Sequence, residues 1–287
     1  MVDIRKNDDY TVEITGMTHE GLGVGRINDF TVFINGAIKG ETVDIKIIKV
    51  NKSYAVGKLM NVVNRSPERA VPFCKSYKQC GGCTLQHMSY KEQLNFKTGQ
   101  VEDNIKRIGK LDNVDVLPTI GMSDPLYYRN KAQFPVGMVN GKAAMGFYAA
   151  RSHEIIDGIE CGIQNEVSDR IRKVVREFIK KYDIKVYNEE TGTGLVRHLM
   201  VRTGYKTGDV MVAIVINGKS LPNSDRLVEM LRAEVPGIKS IVLNINTKKT
   251  NVIMGNKNIT IFGEDKIIDY IGRFKFEISP LSFYQVN

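Results

Sequence analysis

The 287-residue sequence predicts an α+β protein: a small closed β-barrel of OB type, then a cysteine-bearing segment, then a larger region of mixed sheet and helices. Three observations carry that reading. Short runs rich in Val, Ile and Thr, broken by Gly or Asn every ten residues or so, fill residues 10–62. Ser89 and Glu92 frame a capping box ahead of Leu94, Val101, Ile105 and Ile108, which follow at helical spacing until Gly109. Beyond residue 112, strand-like and helix-like patterns alternate around an Asn140-Gly141 turn.

The barrel strands are YTVEIT, FTVFI, TVDIKIIKV and YAVGKLMNVV. The segment SPERAVPFC, with Pro67 and Pro72, reads as the linker leaving the barrel, which divides the chain at 1–66 and 67–276. YRNKAQFPVGMV and KAAMGFYA form a hairpin on Asn140-Gly141. A long amphipathic helix follows, with Val167, Ile171, Val174, Val175, Phe178 and Tyr182 on one face and Arg170, Arg172, Lys173, Lys180 and Lys181 among the residues left for water. Next come RHLMVRTGY and VMVAIVIN as adjacent strands, a helix near 223–234, and strands SIVLNIN, NVIMG and ITIFG. The order suits a mixed sheet rather than a doubly wound one. The final RFKFEISPLSFYQVN is apolar and strand-like and stops without a polar tail, which leads to the expectation of a longer chain cut short, residues 277–287 opening a further domain.

Composition narrows the partners. The chain carries 41 Lys and Arg against 32 Asp and Glu, with a formal net charge of +9, and residues 66–110 alone hold eight against four. A basic balance favours an acidic partner, and RNA is expected rather than DNA. No run approaches the roughly 20 consecutive apolar residues of a membrane span, and the start MVDIRKNDDY lacks the apolar core of a secretory signal. A cytoplasmic protein without membrane partners is expected.

In a reducing compartment, clustered thiols more often hold a metal or do redox work than form disulfides. Cys74, Cys80 and Cys83 are spaced C-x5-C-x2-C, and Cys161 lies far along the chain. Three thiolates from one loop and a fourth from elsewhere can surround a [4Fe-4S] cluster, with Gly81-Gly82 letting the backbone turn tightly between Cys80 and Cys83. Zinc also accepts four thiolates, but its ribbons usually use two C-x2-C pairs and only one is present. The spacing is not the C-x3-C-x2-C of radical enzymes that use adenosylmethionine. Other motifs are absent or incomplete: EGLGVGR and TGTGLVR lack the G-x-x-G continuation and the helix start of a dinucleotide loop, and no Walker, H-E-x-x-H or G-x-S-x-G motif occurs. Basic residues near aromatics are more suggestive. Arg129 and Lys131 follow Tyr127 and Tyr128, Arg197, His198 and Arg202 share one strand segment, and Arg26 lies in the barrel. Such side chains can neutralise phosphates and stack bases, so they are the expected RNA contacts.

The order THEGLGVGR, C-x5-C-G-G-C, YYRNKAQFPV, Cys161, LVRHLMVR and terminal SFYQVN resembles the TRAM-containing, iron-sulfur RNA uracil-5-methyltransferases, the family that includes the 23S rRNA enzymes. The resemblance runs along the whole chain. It implies a TRAM domain at about 1–66, a cluster-bearing central domain, a class I methyltransferase domain that uses S-adenosyl-L-methionine, and rRNA as substrate. Phe283 and Gln285 match the family's F-x-Q motif, in which the glutamine contributes to the S-adenosylmethionine site and the aromatic lies near the target base.

Carbon 5 of uracil is a poor nucleophile until a thiolate adds to carbon 6, after which the resulting enolate attacks the methyl sulfonium and a base removes the C5 proton. With all four cysteines assigned to the cluster, no residue of this chain is left for that nucleophile. The catalytic domain is therefore expected to be missing and the chain alone inactive. The alternative is a free-standing iron-sulfur RNA-binding module without catalysis.

Overall fold

The computed structural model describes residues 4–158 and 160–284, which divide into two compact units. One comprises Met1–Phe73 and Cys83–Ser123, the other Cys74–Gly82 and Asp124–Asn287.

In the first unit, β1 (Asp9–Met17), β2 (Gly23–Ile27), β3 (Phe30–Asn35), β4 (Thr42–Val50) and β5 (Tyr54–Asn64) close into a barrel in the order β1-β2-β3-β5-β4. Alternation along the strands puts Val12, Ile14, Val32, Ile34, Val43, Ile45 and Ile47 inside. The glycines of EGLGVGR serve this packing: a Cβ on Gly25 would stand 2.3 Å from Val12 Cγ1, so only glycine lets β2 cross β1 there. The barrel is closed off by a buried ion pair. The Glu41 carboxylate, 0 % exposed, accepts from the amides of Ile38 at 2.9 Å and Ser66 at 3.2 Å, and from two guanidinium nitrogens of Arg69 at 2.5 Å. Burial pushes the Glu41 pKa up, but Arg69 and the two amides outweigh it and hold the group below its ordinary value. Arg69 also donates to Gly36 O, tying the segment after β5 to the barrel.

Helix α1 (Tyr90–Asp103) begins where Ser89 accepts the Glu92 amide at 3.1 Å. The reciprocal half of the predicted capping box is replaced: the Ser89 amide and hydroxyl both donate to Glu68, to its backbone carbonyl and its carboxylate. None of the helix's residues is buried, and α1 meets the extended segment after it through Thr98–Thr119 contacts and Tyr90, whose hydroxyl accepts the Met122 amide.

The second unit is built on a seven-stranded sheet containing β6 (Lys131–Val139), β7 (Lys142–Tyr148), β8 (Ile155–Asp157), β9 (Val196–Thr203), β10 (Val210–Ile216), β11 (Ile238–Ile245) and β12 (Lys257–Gly263). Its order is β12-β11-β10-β9-β6-β7-β8. Asn140 and Gly141, both at positive φ, make the two-residue turn between β6 and β7, with Val139 opposite Lys142. Only β10 and β11 are parallel, and α3 (Ser224–Glu234) makes their crossover. Helix α2 (Val167–Lys181) lays Ile171, Val174, Val175, Phe178 and Ile179 into the core with Phe134, Leu199, Val201, Val212 and Ile214. Met200, Ala213 and Val242 pack on the other face, so β9 and β10 are buried on both sides.

Three expectations meet the structure here. Residues 83–123, beyond the expected 66/67 boundary, group with the barrel. The boundary at 276/277 falls inside β14 (Phe274–Ile278), which pairs with β13 (Ile267–Ile271). NVIMG is not a strand but part of a loop after β11, because its carbonyls are taken by an asparagine side chain instead of a neighbouring strand. No helix among the described residues is long and apolar enough to cross a membrane.

Candidate nucleic-acid interface

The basic residues singled out in the sequence separate by burial. Arg197, His198 and Arg202 on β9 are 4 %, 7 % and 5 % exposed. Arg197 Nη1 donates to the carbonyls of Asn246 at 2.7 Å and Lys248 at 2.8 Å, and its guanidinium lies 4.4 Å over the Tyr187 ring. Arg202 Nη2 donates to Ser282 O at 2.5 Å, fixing the C-terminal segment. Both arginines expected to contact phosphates are thus buried and donate to backbone carbonyls, and Arg197 also lines a cleft beside β9. Burial, reinforced by the Arg197 charge and only partly opposed by Glu189, lowers the His198 pKa to about 4, so its imidazole is neutral at physiological pH. Arg26 and Arg129 are exposed and Lys131 is half-buried, its ammonium destabilised by burial and by Arg202. Phe283 is 87 % exposed, next to the Ser282 carbonyl that Arg202 holds. Gln285 lies outside the described residues.

A cleft of about 290 Å³, lined by Tyr187, Glu189, Arg197, Lys249, Thr250 and Asn251, opens beside the start of β9. Three asparagines at the carboxyl ends of the parallel pair shape it. Asn217 Nδ2 donates to Gly192 O and Gly194 O, Asn246 Nδ2 to Val252 O and Ile253 O, and Asn244 clasps Gly255 through both its amide nitrogen and its oxygen. Glu189 accepts from the Tyr148 hydroxyl at 3.1 Å and from His153 Nδ1 at 2.8 Å. Burial raises its pKa, but the hydrogen bonds from His153 and Tyr148 outweigh it and hold the carboxyl below its ordinary value. The same contact, with burial, raises the Tyr148 pKa. Sequence reading missed this cleft. The one available signal was Asn244 and Asn246, two amides spaced by two in an otherwise apolar strand, where a carboxamide must have a buried partner.

The four cysteines are half-buried. Cys80 bridges Ala149 at the end of β7, and the Gly82 amide donates to its sulfur at 3.4 Å. Cys74, Cys80 and Cys161 belong to the second unit and Cys83 to the first. Among the described residues no group of three or more His, Cys, Asp or Glu is placed to hold a metal ion. The donor set has the chemistry of a cluster site, and the described geometry does not assemble one.

Residues 5–60 match the TRAM domain. The barrel thus marks a TRAM-containing chain. Along its whole length that chain is similar to RNA methyltransferases. It is 50 % identical over 286 residues to an uncharacterized RNA methyltransferase of Clostridium tetani, covering 100 % of this chain and 62 % of that protein. It is 47 % identical over 287 residues to another from Caldanaerobacter subterraneus subsp. tengcongensis, covering 100 % and 63 %. Among solved structures, the Pyrococcus abyssi tRNA (uracil-54, C5)-methyltransferase in complex with S-adenosyl-L-homocysteine matches with a TM-score of 0.71 and 25 % identity, over 96 % of this chain and 61 % of that one. The chain spans about 62 % of the length of the curated relatives it matches.

The expectation of a fold defined by a missing class I methyltransferase domain is corrected to what aligns: all of the chain matches RNA methyltransferases, over 62 % of the curated relative, and 96 % of it superposes on a solved uracil methyltransferase, over 61 % of that chain.

Proposed function

We propose that this chain contributes the RNA-binding and iron-sulfur part of an S-adenosyl-L-methionine-dependent activity that methylates carbon 5 of a uridine in RNA, with 23S rRNA as the substrate. One observation carries the reading: a TRAM barrel at residues 5–60 in a chain that is similar to RNA methyltransferases from end to end. The solved neighbour acts on tRNA and was captured with S-adenosyl-L-homocysteine, which supports the cofactor. The choice of rRNA rests on the C-x5-C-x2-C pattern resembling the 23S rRNA enzymes.

S-adenosylmethionine supplies the methyl sulfonium, and Gln285 is proposed to contribute to its site. The residues of this chain bind and orient the RNA. Arg26, Arg129 and Lys131 supply cations to phosphates, and Phe283 stands exposed on a segment that Arg202 holds, where it can stack on an unstacked base. Arg197 and His198 act indirectly, by shaping the cleft beside them. Cys74, Cys80, Cys83 and Cys161 are proposed as ligands of a [4Fe-4S] cluster, supported by their spacing and by the N–H···S contact at Cys80.

The test incubates the protein with radiolabelled S-adenosylmethionine and unmodified transcripts of 23S rRNA and tRNA, followed by nucleoside mass spectrometry. 5-Methyluridine in the rRNA supports the reading, and 5-methyluridine confined to tRNA overturns the substrate. Absence of RNA binding that weakens with salt overturns the function. Iron and sulfide analysis of anaerobically prepared protein tests the cysteines: four iron per chain, lost in Cys80→Ser, is expected, and zinc or no metal refutes the cluster.

A further inference from the structure

We infer that the cleft beside β9 binds one ribonucleotide unit, its phosphate at Lys249, Thr250 and Asn251 and a ribose hydroxyl at Glu189. The inference deepens the proposed function and rests on it for the source of the nucleotide, namely the RNA strand.

Position comes first. The lining residues 249–251 lie in the loop that leaves the carboxyl end of β11, and loop 187–194 is pinned to Asn217 at the carboxyl end of its parallel neighbour β10. In open α/β sheets, ligands gather beyond those ends. Rigidity comes second: half-buried Asn217 and buried Asn244 and Asn246 fix both loops by side-chain bonds to backbone, which preorganises the walls. The third consideration is charge. Arg197 and Lys249 set two cations against the single carboxylate of Glu189, a balance that favours one anionic group.

The Lys249 ammonium reaches over to Glu190 O at 2.8 Å on an otherwise exposed stem, so it can turn to a phosphate without disturbing the fold. Thr250 accepts the Val252 amide and keeps its hydroxyl proton to donate. Glu189 holds Tyr148 and His153 on one lone pair of each oxygen and retains acceptor capacity for a hydroxyl. A bare dianion is disfavoured by that carboxylate, and a nucleotide that offers both an anion and a hydroxyl donor matches the wall. The volume is near the lower end of small-ligand sites, which suits one nucleotide rather than a stacked pair.

The test is calorimetric titration of the full chain with uridine 5′-monophosphate, its 2′-deoxy analogue and inorganic phosphate. Uridine monophosphate should bind, the deoxy analogue several-fold more weakly, and phosphate more weakly still. Lys249→Ala should weaken uridine monophosphate roughly tenfold, as loss of a charge-assisted contact does. Glu189→Gln should abolish the preference for ribose, with thermal melts confirming that both variants are folded. No binding at millimolar nucleotide, equal binding of ribo and deoxy forms, or indifference to both substitutions overturns the site. Phosphate binding as tightly as the nucleotide also overturns it, leaving a simple anion site. RNA binding measured in parallel separates the two readings: a chain that binds RNA but not the mononucleotide refutes the cleft alone, and one that binds the mononucleotide as described but no RNA refutes the function alone.

Discussion

Replacing Glu41 by Ala should be among the most damaging single changes in the barrel. The carboxylate is wholly buried and accepts four hydrogen bonds. Its removal strands the Ile38 and Ser66 amides, at about 1–3 kcal/mol for each buried group left unsatisfied. It also leaves the Arg69 guanidinium, 14 % exposed, with only the Gly36 carbonyl. Removing one member of a buried pair costs about 3–5 kcal/mol in total, and residual access of water to Arg69 favours the lower half of that range. Glu41→Gln, which keeps the shape but not the charge, should lose less. The assay is urea unfolding followed by far-UV dichroism and tyrosine emission, since the chain has no Trp. The double variant Glu41→Ala/Arg69→Met should recover part of the loss, because no buried charge is then left alone. The pH dependence has a definite sign. The Glu41 pKa is lower folded than unfolded, so its contribution is complete above the ordinary glutamate range and fades as pH falls through the folded value. The gap between wild type and Glu41→Ala should therefore narrow in acid. A loss below about 1 kcal/mol at neutral pH would refute the account of this carboxylate as the barrel's closing acceptor.

His198, with a pKa of about 4 when folded against about 6.5 when unfolded, stays neutral in the native state while the unfolded chain takes up a proton across that interval. Stability of the second unit should fall by about 2 kcal/mol between pH 7 and pH 5 on this account, and denaturant midpoints of His198→Gln should be less pH-sensitive by that amount. Arg129→Ala should lower the salt slope of RNA binding by about one unit. Arg202→Met should instead leave the slope unchanged while loosening residues 280–284, read by faster amide exchange there, and an altered slope would place Arg202 on the RNA. Gly25→Ala forces a methyl group against Val12 and Glu13 O and should destabilise the barrel by about 1–3 kcal/mol in the same urea assay.

Features written in local chemistry were legible in the sequence. The Asn140-Gly141 turn needs two positive φ angles, which that pair supplies at little cost, and α2 repeats apolar residues at the helical period. The barrel strands show the same agreement between β-branched runs and glycine breaks. Features set by distant partners were not legible. On β9, Arg197, His198 and Arg202 look like an exposed basic stripe, but sheet packing buries both faces, and the carbonyls that satisfy Arg197 lie 49 and 51 residues further along the chain. α1 formed at the predicted place from its cap and spacing, yet none of its residues is buried, which spacing alone does not decide. NVIMG carried strand residues, but Asn246 captured its carbonyls. The cysteine spacing was plain in the sequence, but spacing fixes only which sulfurs share a loop, not where a fourth residue 78 positions beyond Cys83 comes to rest.

Asn217 has a chemical liability that its hydrogen bonds make costly. It precedes Gly218, the neighbour that least hinders attack of the following amide nitrogen on a side-chain carboxamide, the route by which asparagine loses ammonia and becomes aspartate. The amide that now donates to the carbonyls of Gly192 and Gly194 would be replaced by a carboxylate facing the same two oxygens, turning attraction into repulsion. Strand β10, held by its ladders on both sides, would persist while loop 187–194 came away. Ageing of the protein should therefore erode the shape of the cleft well before it erodes the sheet beneath.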